Sequence, residues 1–272
     1  LNNRKMFWPR GRGLGGSSSI NGMAYVRGHA FDYNRWAQID GCRDWSYSDC
    51  LPYFKKAECL DIGGDVYRGT DGPLKVTAGK MENPLYKAWL MAGEEAGYPI
   101  TNDPNGYQQE GLGRMDMTVD KGRRCSSAKA YLKDAANRKG LFIEKNAFVN
   151  RILIEDGTAS GVEFEKDGAK VCVYAGKEVI LCAGAINTPQ LLMLSGIGPG
   201  PHLNSIGIPV LNDLPGVGKN LQDHLEIYLQ MKCLQPISLY GVHNPLRKLM
   251  IGLQWILSAT GLGATNHFEA GG

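Results

Sequence analysis

The stretch GRGLGGSSSINGMAYVRG, residues 11–28, combines six glycines and three consecutive serines with an apolar, aromatic end. Glycine clusters allow the backbone to approach a ligand closely, and successive N–H groups in such a turn bind anions such as a diphosphate. If a helix follows, its N-terminus favours the same negative charge. A flexible Gly/Ser linker is the alternative, but linkers rarely continue into residues such as Ile20, Met23 and Tyr25, which favour burial. The stretch therefore predicts a loop that contacts an anionic ligand.

A second glycine-rich stretch, residues 184–198, follows the sequence KEVILCAGA at 177–185. This continuous apolar run predicts a strand that is buried on both faces of a parallel sheet and leads into a ligand-facing loop. Each stretch alone is only weak support for a ligand-binding loop. Together, at separate places in one chain, they predict two loops that converge on one large, partly anionic ligand.

The composition excludes several classes of protein. Of the 272 residues 43% are hydrophobic, the net charge is +3, and the basic residues form no stripe, so no nucleic-acid partner is expected. Seven cysteines without a CxxC pair argue against a disulfide framework and against a metal site, and favour a reducing, intracellular compartment. No apolar run reaches the roughly 18 residues of a membrane span. The chain has no initiator Met and ends on an apolar, glycine-rich stretch, which we interpret as an internal fragment of a longer chain.

The pattern along the chain mixes helices with short strands. Capping residues and apolar spacing predict helices over 48–58, 84–96, 126–138 and 246–258, and a short helix that begins near Thr188. The segments LFIEKN, VNRILIE, SGVEFEK and KVCVYA, between residues 141 and 175, predict an antiparallel meander. A further strand is expected over 225–233.

The two glycine-rich stretches resemble the two signatures of the glucose-methanol-choline oxidoreductases. The first match comprises Gly11, Arg12, Leu14, Gly15, Gly16, Ser17, Ser18, Ile20, Asn21, Tyr25, Gly28 and Asn34. The second match comprises Gly184, Ala185, Thr188, Pro189, Leu191, Leu192, Ser195, Gly196, Ile197 and Gly198. The segments RCSSAKAYL and LPGVGKNLQDH extend the resemblance over essentially the whole chain.

This resemblance implies an α/β fold with α+β character. One domain would be an FAD-binding, doubly wound, Rossmann-like domain, incomplete in this chain, and the other a substrate domain with an antiparallel sheet. Residues 1–60 and 141–225, the latter with the meander and the buried strand, are expected to belong to the FAD-binding domain. Residues 61–140 would mostly supply substrate-domain and connecting segments, and 226–272 would begin the substrate-domain sheet, which is truncated here.

The same resemblance implies FAD as the cofactor and assigns residues to it. Along the diphosphate and the flavin we expect Gly15, Gly16, Ser17, Ser18, Asn21, Gly22, Met23 and Ala24. Val149 would offer its backbone to the adenine. Some relatives attach the flavin to a histidine at the position of Ile20, and isoleucine cannot form that bond, so the FAD is expected to be noncovalent. Only small side chains and bare amides fit so close to a planar cofactor.

The implied activity is the oxidation of choline to betaine aldehyde, the first step towards glycine betaine, by hydride transfer from the alcohol carbon to flavin N5. Glu269 matches the carboxylate that choline-oxidising relatives place against the trimethylammonium group, and Phe268 adds an aromatic face. No catalytic residue is assigned, because the His and its His or Asn partner are expected beyond residue 272. The chain alone is therefore expected to be inactive.

Two alternatives stay open at this point. The substrate could be another primary alcohol, or the chain could belong to a catalytically inactive protein that binds flavin or a partner. The residues do not identify the electron acceptor, so peripheral membrane association through that acceptor is also open, as is the oligomeric state. The location would be cytoplasmic or membrane-associated in a bacterium and mitochondrial in a eukaryote.

Overall fold

The structure is a computed structural model that describes residues 2–272, and it divides into two compact units. One unit combines the chain up to Leu141 with Met231–Gly272, and the other is Phe142–Gln230. Among residues 2–272, no helix has both the length and the apolar character to cross a membrane. The division falls close to the sequence positions 141 and 226, whereas the assignment of the segments to a cofactor and a substrate domain stays a prediction.

Seven α-helices occur in the described residues. They are α1 (Ala30–Trp36), α2 (Tyr47–Ala57), α3 (Pro84–Glu95), α4 (Lys133–Ala135), α5 (Gly184–Leu194), α6 (Gly200–Ser205) and α7 (Pro245–Ser258). Short 3-10 turns cover Gly16–Ser19, Arg43–Trp45, Leu239–His243 and Gly261–Ala264, and a π-helical turn covers Ala128–Leu132.

Fourteen short strands accompany these helices in the same residues. They are β1 (Ala24–Tyr25), β2 (Glu58–Leu60), β3 (Leu74–Ala78), β4 (Ile100–Thr101), β5 (Leu112–Arg114), β6 (Asp116–Met117), β7 (Val119–Asp120), β8 (Arg123–Arg124), β9 (Phe148–Glu155), β10 (Thr158–Lys166), β11 (Ala169–Tyr174), β12 (Ile197–Gly198), β13 (Asn212–Asp213) and β14 (Ala270–Gly271).

The larger unit contains two small mixed sheets that meet at Met115. One sheet has the strand order β1-β6-β3-β2, and the other has the order β14-β5-β4. Since Met115 is the single residue between β5 and β6, it connects the two sheets directly. The buried apolar side chains that support this unit include Leu60, Val76, Met117 and Val119.

Local sequence explains three of the predicted helices. Ser46 and Asp49 form a capping box at the start of α2, in which each side chain accepts a hydrogen bond from the other residue's backbone N–H. Asn83 caps α3 and Asn244 caps α7, and in both helices a proline occupies the first turn. The helices predicted over 48–58, 84–96 and 246–258 are thus confirmed within one or two residues at each end.

The smaller unit is built on a three-stranded antiparallel meander, β9-β10-β11, with α5 packed on β9. Ser195 follows α5 directly and is buried, and its hydroxyl joins the two elements. The hydroxyl donates to the carbonyl of Leu191 at 2.6 Å and accepts from the N–H of Ile152 at 2.8 Å. Residues Ile152, Phe164, Leu191 and Leu203 form the buried apolar part of this unit.

Replacing Ser195 by alanine is expected to destabilise the chain by about 1–3 kcal/mol, because the buried N–H of Ile152 loses its acceptor. Ser205→Ala is the matched control, since that exposed hydroxyl only donates to the carbonyl of His202. The control should change the free energy of unfolding by less than about 0.5 kcal/mol. Urea unfolding followed by circular dichroism measures both, and equal values for the two variants would contradict the role given to Ser195.

Four sequence predictions of secondary structure are corrected by the structure. The buried strand expected within 177–185 does not form, and neither do the strands expected over 141–146 and 225–233. Ile180 is 74% exposed and Leu225 is 97% exposed. A strand is stabilised only when it pairs with neighbours, and within residues 2–272 these three segments have no strand beside them. The helix expected over 126–138 is instead a π-turn followed by the short α4.

Candidate functional site

The glycine-serine loop folds back on itself at Gly11 and Gly16. A Cβ atom on Gly11 would lie 2.1 Å from the carbonyl oxygen of Gly16, so only glycine fits there. The N–H of Gly11 donates to the hydroxyl of Ser17 at 3.2 Å. Gly15 and Gly16 have φ angles of 89° and 52°, which place both in the left-handed region that favours glycine. Some of these glycines are therefore needed for the loop to pack against itself.

A second segment of the chain anchors this loop through Ser18 and Ser127. The hydroxyl of Ser18 donates to the carbonyl of Gly15 at 2.5 Å and accepts from the N–H of Ser127 at 2.9 Å. The guanidinium of Arg124 donates to the carbonyl and to the side-chain oxygen of Asn21, both at 2.8 Å. These contacts fix the loop and the beginning of the segment that follows it.

The segment Asn21–Ala24 is hydrogen-bonded to the rest of the protein and is nevertheless largely exposed to solvent. Its last residue belongs to β1, which pairs with β6, and the carbonyl of Met23 accepts from the N–H of Thr118 at 2.9 Å. Asn21, Gly22 and Ala24 are nevertheless exposed. The segment is therefore an exposed stretch of hydrogen-bonded backbone with no side chain at Gly22 and only a methyl group at Ala24. This leaves room for a flat group to lie against it.

A buried ionic network includes Arg27, which lies two residues after β1 in the sequence. Glu58 is fully buried and accepts from Arg27 at 2.6 Å and from Arg68 at 2.5 Å. Arg68 also binds the carboxylates of Asp103 at 2.6 Å and Asp116 at 2.7 Å. Because Asp116 is part of β6, which pairs with β1, this network stabilises the strand pair that contains Ala24, the last residue of the open segment Asn21–Ala24.

Burial and pairing act in opposite directions on these groups. Burial raises the pKa of Asp116, whereas its hydrogen bond from Arg68 lowers it, and the net shift is upward. For Arg68, burial lowers the pKa, but the hydrogen bonds to Glu58, Asp103 and Asp116 outweigh it and raise the pKa further above its ordinary value. Arg68 therefore stays positively charged and is the ion-pair partner of all three carboxylates.

Glu269 is buried, at 6% exposure, and both of its carboxylate oxygens accept hydrogen bonds. The N–H of Met81 and the hydroxyl of Thr265 each donate to a different oxygen at 2.5 Å. The carbonyl of Glu269 accepts from the N–H of Met115 at 2.9 Å. Burial, and after it the charge of Glu269, raises the pKa of the nearby Tyr86.

The Glu269 segment touches the open segment at Gly22. The side-chain amide of Asn266 donates to the carbonyl of Gly22 at 3.1 Å, and its oxygen accepts from the N–H of Phe268 at 3.0 Å. The Phe268 ring lies 3.4 Å from where a Cβ on Gly22 would be. The structure therefore joins the segment that contains Glu269 to the predicted cofactor segment Asn21–Ala24, through Asn266 and Phe268.

The other predicted site residues lie in the smaller unit. Val149 is the second residue of β9, opposite Phe164 of β10, and is 39% exposed. The second glycine-rich stretch is mostly the helix α5, and it follows a segment that does not form the expected strand. The assignment of Val149 to the adenine and the convergence of the two glycine-rich stretches stay predictions.

Sequence reasoning missed several residues that build the site. Arg124 and Ser127 lie in the segment RCSSAKAYL, and its resemblance to the family is the sequence signal that indicates them. The network of Arg27, Glu58 and Arg68 carries no local pattern that could have revealed it. Among residues 2–272 no group of three His, Cys, Asp or Glu side chains could hold a metal ion.

Comparison with known proteins assigns the chain to a protein family. The family model described as GMC oxidoreductase matches residues 1–226. The chain belongs to the GMC oxidoreductase family. A solved FAD-dependent oxidoreductase from Chaetomium thermophilum superimposes with a TM-score of 0.87 and 28% identity, over 99% of this chain and 50% of that one. The resemblance to this family and the mixed fold class expected from it are confirmed.

Curated relatives give a narrower comparison. Mitochondrial choline dehydrogenase of Homo sapiens is 56% identical over 272 residues, which are 100% of this chain and 46% of the relative. Oxygen-dependent choline dehydrogenase of Burkholderia pseudomallei (strain 1710b) is 54% identical over 274 residues, with 100% and 48% coverage. The chain thus spans about half the length of the curated relatives that it matches.

Proposed function

We propose that this chain is part of an FAD-dependent enzyme that oxidises choline to betaine aldehyde. The observation that carries the proposal is the contact between the Glu269 segment and the open segment Asn21–Ala24. The Glu269 segment carries a buried carboxylate and an exposed aromatic ring, and the backbone that it contacts is exposed. The identity to choline dehydrogenases of two kingdoms supports the choice of substrate.

The residues present fit FAD. The exposed backbone at Gly22 and Ala24 gives a flat ring close access, and the left-handed turn at Gly15 and Gly16 is of the kind that binds a diphosphate. When bound, FAD supplies the two-electron acceptor that alcohol oxidation requires. The chain's own residues stabilise that surface. The Arg124 guanidinium donates a hydrogen bond to the side chain of Asn21, and β1 pairs with β6.

The substrate residues suit a quaternary ammonium group. Such a cation cannot donate hydrogen bonds, so its binding depends on negative charge and on aromatic faces. Glu269 supplies the charge, and Phe268, which is 59% exposed, supplies an accessible ring. An uncharged alcohol would leave a buried carboxylate without a cation, which is costly. Choline is therefore favoured over another primary alcohol.

The proposal is tested on the complete enzyme, purified with its natural flavin. Anaerobic addition of choline should bleach the visible flavin absorbance much faster than the same concentration of 3,3-dimethylbutan-1-ol, the uncharged isostere. Equal rates with both alcohols, or no bleaching with choline, would overturn the proposed substrate.

The attachment of the cofactor is checked on the same sample. Because Ile20 cannot form a covalent bond to flavin, acid denaturation and filtration should release the yellow colour as free FAD. Colour that stays with the polypeptide would contradict noncovalent binding. Fractionation of the native host would measure the cellular location and any membrane association through the electron acceptor.

A further inference from the structure

The Glu269 carboxylate is oriented by one backbone group and one side chain. The N–H of Met81 donates to Oε2, and the hydroxyl of Thr265 donates to Oε1. Every residue except proline keeps the backbone donor at position 81, and proline cannot adopt the φ of 52° found there. Of the two donors, only Thr265 can therefore be removed by substitution.

We infer that Thr265 is a positioning residue for the substrate's cationic group. Its hydroxyl holds the Glu269 carboxylate in a fixed rotation, so that the negative charge is maintained at one place in the segment whose Phe268 lies against Gly22. This inference rests on the proposed function, and it adds a residue that acts on the substrate only through Glu269.

The geometry around Thr265 shows how the hydroxyl is aligned. It accepts a hydrogen bond from the N–H of His267 at 3.1 Å while it donates to Glu269. With one acceptor site occupied by a fixed backbone donor, the hydroxyl proton is directed towards the carboxylate. His267 itself has a φ of 62°, so the turn from Thr265 to Glu269 adopts a conformation that the surrounding contacts must enforce.

A hydrogen bond to an ionised group is stronger than one between neutral groups. Removing the hydroxyl leaves Oε1 without this donor in a position that water reaches poorly, since Glu269 is 6% exposed. The carboxylate is then free to rotate, and this change weakens the attraction for a cation more than it affects a neutral substrate.

The test compares Thr265→Val, Thr265→Ala and Thr265→Ser in the complete enzyme. For choline, kcat/KM of the valine and alanine variants should fall about 10- to 100-fold, mainly through KM. For 3,3-dimethylbutan-1-ol it should change less than about threefold, which lies within the spread of a neutral contact. Thr265→Ser keeps the hydroxyl and should restore most of the choline specificity. Thr260→Val, an exposed threonine five residues earlier, is the matched control and should behave as the parent enzyme.

The outcomes separate this inference from the proposed function. If Thr265→Val lowers kcat/KM equally for both alcohols, or if serine does not rescue it, Thr265 has only a structural role and the inference is wrong. Glu269→Gln in the same series tests the substrate itself: if it too lacks a choline-specific effect, the proposed function fails as well. Flavin content and melting temperature of each variant identify losses caused by misfolding, and the alanine variant replaces valine if the latter does not fold.

Discussion

Replacing Glu269 by glutamine in the complete enzyme is expected to raise KM for choline on the order of 100-fold. Two unit charges about 4 Å apart attract each other by about 4 kcal/mol at an effective dielectric constant of 20, and tenfold in affinity corresponds to about 1.4 kcal/mol. Glutamine keeps the size of the side chain and an oxygen that can accept from the N–H of Met81. The change therefore removes the charge with little other disturbance.

The same substitution should alter KM for 3,3-dimethylbutan-1-ol by less than about threefold, since a neutral substrate gains nothing from the carboxylate. Steady-state kinetics with both alcohols measures the difference. Glu82→Gln is the matched control: that carboxylate is 79% exposed and adjoins Met81 in the chain, so its loss should leave both values unchanged. Parallel increases in KM for both alcohols would show that Glu269 does not recognise the cation.

Replacing Arg68 by methionine is expected to destabilise the chain by about 3–5 kcal/mol. Removing one partner of a buried ion pair leaves the other charge uncompensated, and Arg68 is the partner of three carboxylates. Glu58 keeps Arg27 as a partner, but Asp116 loses the only cation with which it forms an ion pair among residues 2–272. Urea unfolding followed by tyrosine and tryptophan fluorescence measures the loss.

Two further variants define the cause of that loss. Arg43→Met removes an exposed pair with Asp40 at 4.0 Å and should change the free energy of unfolding by less than about 1 kcal/mol. Adding Asp116→Asn to Arg68→Met should recover part of the stability, because the stranded carboxylate is then neutral. If Arg68→Met is no more harmful than Arg43→Met, the network does not support β1 and β6 as described.

Features encoded over a few residues could be predicted from the sequence. The caps at Ser46, Asn83 and Asn244 begin helices where expected, because capping is a local hydrogen-bonding property. Three strands of the meander could also be predicted, since each pairs with its neighbour in the chain through a short turn. The loop at Gly15 and Gly16 takes the left-handed conformations that its composition indicates.

Features that depend on distant partners could not be predicted in this way. The apolar run at 177–185 has the composition of a buried strand, yet a strand forms only when it pairs with another, and no strand among residues 2–272 pairs with this segment. The ionic network joins Arg27 to Glu58 and Arg68 to Asp116, and no sequence period relates these positions. Glu269 was selected by resemblance, whereas its donor Thr265 became evident only from the coordinates.

The hydrogen bonds that close the candidate site have a consequence for when it can exist during synthesis. The bond between Asn266 and Gly22 spans 244 residues, and the bond between Glu269 and Met81 spans 188. A nascent polypeptide that has left the ribosome only as far as β11 contains Gly22 and Met81 but neither Asn266 nor Glu269. Closing loops of this length costs chain entropy that only the later residues can offset. The contact between the open segment Asn21–Ala24 and the Glu269 segment can therefore form only after residues 266–269 have been synthesised.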